Sequence, residues 1–342
     1  MDSSSPRSRA LDLPASPQAL RIVSLLPAAT EIAAALGLEP NLVGRSHECD
    51  WPADVSRLPA LTAARIDASL PSGEIHAQVG RGLAAGGSHG SAAACATPAA
   101  GLFALDIDRL AALEPDIILT QAACDVCAIA AADVEVAVQR AGVNTRVVSL
   151  APESFADLWA DILRVGAATG RLPAARELVS RLRARVASVA CRAKAFSDRP
   201  RVAIIEWLDP PMAAGNWVPE MVRLAGGIDV CGRAGSHSHW ISWDEVVAAD
   251  PEIVILSPCG FTLDRVVAEA DTAAVRPQLA RLRAVREGRC TCVDGHHLFN
   301  RPGPRLVDSL EVLAEILHPG RFAFAATRRF AEQLTPAAAG AG

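Results

Sequence analysis

One ten-residue pattern occurs twice in this chain. Leu-Ala-Ala-Leu-Glu-Pro-Asp-Ile-Ile-Leu at 110–119 returns as Val-Val-Ala-Ala-Asp-Pro-Glu-Ile-Val-Ile at 246–255, position by position. Each copy reads as the end of a helix, a proline that stops it, and a short apolar run of the kind that forms a buried strand. The flanking sequence repeats too. Arg21–Leu26 is an apolar strand feeding a helix that opens at Pro27 and is stopped by Gly37, and Arg201–Trp207 is its counterpart in the second half. Further strands at 42–44, 146–150 and 289–293 alternate with helices at 106–113, 219–225, 244–249 and 304–317. A chain that alternates β and α in this way folds as parallel sheets faced by helices. The expected fold is α/β: two Rossmann-like parallel-sheet lobes with a ligand cleft between them, because ligands of such sheets bind beyond the carboxyl ends of the strands.

Between the halves, Pro173 to about Phe196 predicts a long helix. Pro173 suits its first turn, and Leu178, Leu182, Val186 and Val189 make one apolar stripe. At 1.5 Å per residue it spans roughly 35 Å, enough to serve as a rigid backbone joining the lobes. Arg176, Arg181, Arg183, Arg185 and Arg192 occupy the rest of its surface and read as a solvated face. The expected organisation is a disordered leader at 1–19 and an N-terminal lobe at 20–151, which carries a Gly/Ala/Ser-rich insertion at 84–101. A connecting helical section at 152–199, a C-terminal lobe at 200–318 and a tail at 319–342 follow.

Composition narrows the partners. With 51% hydrophobic residues, 21% charged residues and a net charge of −5, the chain builds sizeable cores and offers no basic patch for nucleic acid. No run of roughly 18 apolar residues occurs, so no membrane-spanning helix is expected. The first residues are rich in Ser, Pro and Arg, carry Asp2 and Asp12, and lack the apolar stretch of a secretory signal. Nine cysteines, an odd number, then read as reduced thiols. The expected location is cytoplasmic, with an organellar transit peptide as the alternative.

The candidate chemistry lies in the turns that follow the strands. Trp51, Trp207, Trp217, Trp240 and Phe261 all fall there, out of six Trp and eight Phe in the chain. Grouped flat rings suit a large flat ligand, although the same residues also serve to fill lobe cores. The helix start at Pro27, Ala28 and Thr30 offers unpaired N–H groups, and Gln121 and Asn216 offer amides. His47, His239 and His297 sit in turns and can give an axial nitrogen to cobalt or iron. Cys124-Asp-Val-Cys127 is half a zinc site (to be completed from Cys49, His47 or Cys259), a redox pair, a ligand for a metal chelate, or a pair of packed thiols. Cys290 and Cys292 share one face of a strand and read as core. Glu31, Glu48, Asp50 and Glu206 supply carboxylates for acid–base work if the cleft is catalytic, with Glu31 alternatively stabilising a helix N-terminus. Gly86-Gly-Ser88-His-Gly90 has the spacing of a hydrolase nucleophile, but no strand precedes it.

Pro27-Ala-Ala-Thr-Glu31, the twice-used Pro-Asp-Ile-Ile-Leu strand and the central helix together resemble the helical-backbone class of periplasmic binding proteins. Ser46-His-Glu-Cys-Asp-Trp-Pro52, Thr120 to Ala128, Glu206-Trp-Leu-Asp-Pro210, Gly215 to Met221, Pro258-Cys-Gly-Phe261 and Phe299-Asn-Arg-Pro-Gly-Pro304 are similar to its cobalamin-binding branch, over about residues 20–318. The resemblance implies a soluble binding protein, not an enzyme, for a corrinoid such as cobalamin or a related metal chelate. The ligand would lie between the lobes against Pro27, Ala28, Thr30, His47, Trp51, Gln121, Trp207, Asn216, Trp217, Trp240 and Phe261, with Cys124 and Cys127 as candidate metal ligands. It also implies an ABC importer as partner, which a cytoplasmic location would remove. The rival reading is an intracellular metal- or thiol-dependent enzyme built on the Cys124/Cys127 cleft.

Overall fold

The structure, a computed structural model, describes residues 20–85, 102–121, 131–324 and 327–335. The leader, the Gly86–Gly90 motif, most of the Gly/Ala/Ser-rich insertion and both Cys124 and Cys127 lie outside the described residues.

The first half runs β1 (Ile22–Ser24), α1 (Pro27–Ala35), β2 (Leu42–Arg45), β3 (Thr62–Ala64), α2 (Ser72–Ala85), β4 (Phe103–Leu105), α3 (Ile107–Leu113), β5 (Ile117–Gln121), α4 (Ala131–Ala141) and β6 (Arg146–Leu150). Two connecting helices follow, α5 (Phe155–Ala168) and α6 (Leu172–Lys194). The second half runs β7 (Arg201–Leu208), β8 (Pro211–Ala213), α7 (Val218–Leu224), β9 (Ile228–Asp229), β10 (His239–Trp240), α8 (Trp243–Ala249) and β11 (Ile253–Leu256). It ends with α9 (Leu263–Ala270), α10 (Arg276–Ala280), α11 (Arg283–Arg286), β12 (Cys290–Val293), α12 (Leu306–Leu317), α13 (Thr327–Phe330) and β13 (Ala331–Gln333).

The repeat is a repeat of topology. The first sheet is parallel in the order β2-β1-β5-β6, and the second contains the same parallel order as β9-β7-β11-β12. The two decapeptides fold alike down to single bonds. The side chains of Asp106 and Ser242 cap α3 and α8, and Glu114 and Asp250 end them in the left-handed region, at φ 41° and 40°. Next, Asp116 accepts from the Arg21 backbone N–H at 2.8 Å, and Glu252 accepts from that of Arg201 at 2.8 Å. Because Ser242 and Glu245 form a full capping box at an exposed helix end, Ser242→Ala is expected to cost about 1 kcal/mol, read from the urea unfolding midpoint.

Among the described residues, three cores sit around this frame. The largest joins the lobes: α1, α5, α6, α7 and α12 pack their apolar faces together, with Leu178, Val179, Leu182 and Val189 of α6 buried in it. Two smaller cores lie on the outer faces of the sheets. The arginine face of α6 is exposed at Arg176, Arg181, Arg183 and Arg192, as expected of a solvated surface, and departs from it at half-buried Arg185. Arg185 makes a bidentate pair with Glu311 and also reaches Asp308, each contact 2.7–2.9 Å long, so it staples α6 to α12. Arg192 lies over the Phe322 ring at 4.5 Å.

Two segments sit where their sequence position does not suggest. Ile66, Leu70, Ile75 and Val79, on and before α2, pack into the core of the second lobe instead of the first. The stretch after Pro319, which reads as a tail, returns to the second sheet, where β13 pairs antiparallel with β12. Buried Phe322 and half-buried Phe324 anchor that return.

Candidate functional site

The lobes meet along two polar seams at the carboxyl ends of their strands. The first joins the 46–52 loop, after β2, to the 294–305 loop, after β12. Asp50 accepts from Arg301 at 2.6 and 3.3 Å, and its Oδ2 lies 2.6 Å from His296 Nε2 and 3.5 Å from His297 Nε2. The second seam brings the N-terminal end of α2 onto α9 and β7. Ser72 donates to Glu269 through both its backbone N–H (2.8 Å) and its hydroxyl (2.5 Å), and its carbonyl accepts from the Trp207 indole at 3.2 Å.

Local chemistry shapes the 294–305 loop. One carboxyl oxygen of Asp294 accepts from the backbone N–H groups of His296 and His297, at 3.0 and 2.8 Å, making the turn that stands the two rings side by side. The Asn300 amide donates to the carbonyls of Ser257 and Gly295, both at 3.0 Å. Only glycine fits at 295, because a Cβ there would lie 2.2 Å from the Pro258 carbonyl oxygen. Further on, Gly303 presses against the first turn of α1, where a Cβ would come within 2.9 Å of Glu31 and 3.4 Å of Ala28. That contact covers the helix start that sequence reasoning offered to a ligand.

Charge is concentrated here. Glu31 is buried on α1, with both carboxyl oxygens unpaired by hydrogen bonds among the described residues and with Arg301 and Arg305 each 3.8 Å away. Burial pushes its pKa up to about 7 against the pull of the two guanidiniums. Burial also acts on Asp50, but the bonds from His296, His297 and Arg301 win and hold its carboxyl well below the usual range. The bond to Asp294, followed by that to Asp50, raises His297 to about 9. Arg305 completes the group by lying over the Trp51 ring at 4.8 Å, and Trp51 itself is 43% exposed.

A family model described as periplasmic binding protein matches residues 22–294. The chain belongs to the periplasmic binding protein family. An ABC transporter substrate-binding lipoprotein of Bacillus subtilis, described as uncharacterized, is 24% identical over 306 residues, which is 88% of this chain and 81% of the relative. Among solved structures, a periplasmic heme-binding protein of Pseudomonas aeruginosa superposes with a TM-score of 0.64 at 22% identity, covering 88% of this chain and 93% of that one. A periplasmic vitamin B12-binding protein of Vibrio cholerae gives 0.59 at 20% identity, covering 87% and 96%. At these identities the likeness is one of fold, and it is the expected two-lobe fold.

A periplasmic binding protein is a carrier, so the enzyme rival falls away. The cytoplasmic expectation falls as well: the family is periplasmic, and the Bacillus relative is a lipoprotein. That expectation rested on the composition of the first 19 residues and on cysteine parity, neither of which reports on the binding fold. Among the described residues, no helix is long and apolar enough to cross a membrane.

The predicted ligand residues of this binding protein scatter between seam, rim and core. Trp51 stands at the first seam, and Ala28, next to Pro27 in the first turn of α1, lies under Gly303. Thr30 is buried and donates to Ser24 Oγ at 2.8 Å and to Cys49 Sγ at 3.0 Å, so its hydroxyl is already engaged. His47 is tied to Thr62 Oγ1 at 2.6 Å, and burial lowers its pKa. Gln121 is buried at the end of β5. Trp217 is in the shared core, where its indole donates to the Phe299 carbonyl at 2.7 Å. Phe261, 1% exposed, packs edge-on to Trp207 at 5.4 Å beneath the guanidinium of Arg265. Half-buried Asn216 holds a left-handed turn at φ 50°, its N–H bonded to Ser236 O at 2.6 Å. Trp240 is 52% exposed and meets His76 of α2 edge-on at 4.7 Å. The seam residues Asp294, His296, Arg301 and Arg305 were absent from the predicted set. Their signal was the run Asp294-Gly-His-His297 directly after a strand, a polar turn like the others.

Proposed function

We propose that this chain is the substrate-binding component of an ABC importer and carries a flat metal-chelate macrocycle, a corrinoid before a haem, between its lobes. One observation carries the reading. Trp51 presents an open aromatic face beside the inter-lobe seam, with a guanidinium over its ring and the neighbouring Asp50 bridging to the other lobe. A macrocycle rimmed with polar groups wants such a surface: an apolar face for the ring, with donors and acceptors at its edge. The heme- and vitamin B12-binding proteins of similar fold support the ligand class. The resemblance of the Ser46–Pro52 and Phe299–Pro304 loops to the cobalamin-binding branch favours the corrinoid. The importer partner is supported by the transporter lipoprotein of Bacillus subtilis.

Calorimetric titration with cobalamin, cobinamide and haem tests this. Binding of a corrinoid is expected, and Trp51→Ala is expected to weaken it about 10- to 100-fold, or about 1.4–2.7 kcal/mol. No heat or spectral change with any of the three compounds would refute the proposal.

A further inference from the structure

We infer that Asp50, His296 and His297 form a site for one divalent first-row transition-metal ion, held by the protein directly. The inference does not rest on the macrocycle reading. The three side chains each point a ligand atom at the same spot, and all these atoms lie within 4.8 Å of one another. Ligand–metal bonds of about 2.0–2.2 Å keep adjacent donors roughly 3–3.5 Å apart. The Asp50 Oδ2 separations, 2.6 Å to His296 and 3.5 Å to His297, straddle that range, and the third edge is at most 4.8 Å, so shifts of about an ångström close the site. Two imidazoles and a carboxylate, with the remaining positions open, form a donor set suited to ions such as Fe(II), Co(II) or Zn(II).

Three features make this more than a meeting of polar groups. The first is an outer carboxylate. Buried Asp294 lies 2.9 Å from Nδ1 of His297, which fixes the ring and leaves Nε2 turned towards Asp50. That is how metal-binding imidazoles are oriented.

The second is a conflict at His296. Its Nε2 faces a carboxylate oxygen at 2.6 Å and the Arg301 Nη2 at 2.9 Å. A ring nitrogen carries either a proton or a lone pair. If it donates to Asp50 it opposes the guanidinium, and if it accepts from Arg301 it opposes the carboxylate. A metal ion resolves this by taking the imidazole lone pair and the carboxylate together.

The third is a vacant acceptor for Arg301. Glu31 is buried, neither of its oxygens has a hydrogen-bond partner among the described residues, and it lies 3.8 Å from Arg301 Nη1. As the ion takes Asp50, the guanidinium moves onto Glu31, and both charges stay paired. Asp50 comes from one lobe and the histidines from the other, so a bound ion clamps the lobes together.

The test uses the full chain, stripped with chelator and titrated with Co(II) alone. The expected result is one ion per chain, seen both calorimetrically and as a weak d–d absorption band. His296→Ala and His297→Ala are each expected to weaken binding about 100-fold. Arg301→Gln, which removes a like charge beside the ion, is expected to tighten it about tenfold. A gain of affinity in that variant is a readout that a purely structural seam would not give. Three results would overturn the inference: no stoichiometric binding, affinity unchanged in the double histidine variant, or an intense near-ultraviolet thiolate-to-cobalt band placing the ion on cysteines. Because no macrocycle is present, failure here leaves the carrier function standing, and the reverse holds too.

Discussion

Arg301→Ala is expected to destabilise the protein by about 3 kcal/mol at about pH 9, where Glu31 is ionised, among the larger effects of any single substitution. The side chain is only 8% exposed, bonds Asp50 through both terminal nitrogens, and lies within 3.8 Å of Glu31. Its removal strands two carboxylates unequally. Asp50 is a third exposed and keeps both histidines, so water and imidazole share its charge, and little of the cost arises there. Glu31 is the expensive partner. Its side chain is 2% exposed, and it would be left with Arg305 alone, still at 3.8 Å and still without a hydrogen bond. Because its pKa already stands at about 7, the cost appears where Glu31 is ionised: above that pH the desolvated survivor has no compensation, and below it the carboxyl takes a proton. Urea unfolding of Arg301→Ala, Asp50→Asn and the double variant separates the two links. A coupling of on the order of 1 kcal/mol is expected between Arg301 and Asp50, with the rest of the loss belonging to Glu31. A total loss below about 0.5 kcal/mol would mean that the seam is effectively solvated.

The lobes were legible in the sequence because buried parallel strands write themselves as short continuous apolar runs, and because helix ends are marked by caps and prolines. Asp106 and Ser242, Glu114 and Asp250, and Asp116 and Glu252 do the same jobs twice, so the duplicated decapeptide carried the topology with it. Other features left no such trace. The apolar stripe of α2 shows that it packs, but not on which lobe, and Ile75 goes to the second. Ala331-Glu-Gln333 has no strand pattern, and only the free edge of β12 makes it one. An aromatic residue in a turn reads the same whether it is exposed, as Trp51 is, or packed in a core, as Trp217 is. The seam was hardest to see. Asp50 and His296 stand 246 residues apart, and each alone is an ordinary polar loop residue. Their chemistry exists only once the lobes face each other.

Glu206→Gln is expected to stabilise the protein at alkaline pH and to leave it unchanged in acid. Glu206 lies on β7, 6% exposed, and the Ser238 hydroxyl donates to one of its oxygens. Burial lifts its pKa from an ordinary 4.5 to about 7; the Ser238 bond and nearby His237 pull the other way, while Asp229 adds to the rise. Between those two values the folded chain holds a proton that the unfolded chain has lost, so stability falls as pH rises through this window. The contribution is fully present below about pH 4.5, and above the folded pKa it has become a penalty of about 3 kcal/mol, from 2.5 units at 1.36 kcal/mol each. Glutamine keeps an oxygen for the Ser238 hydroxyl and never ionises. Its stability relative to the parent should therefore be near zero at pH 4.5 and should climb to about 2–3 kcal/mol by pH 8.5, read from urea midpoints across that range. Glu31, also raised to about 7 by burial, has the same sign in both proteins and cancels in the comparison. If Glu206→Gln instead lost stability at pH 8.5, the charged carboxylate would have to be held by His237 and the 235–240 loop. The second lobe would then depend on an ion pair where burial argues for a neutral acid.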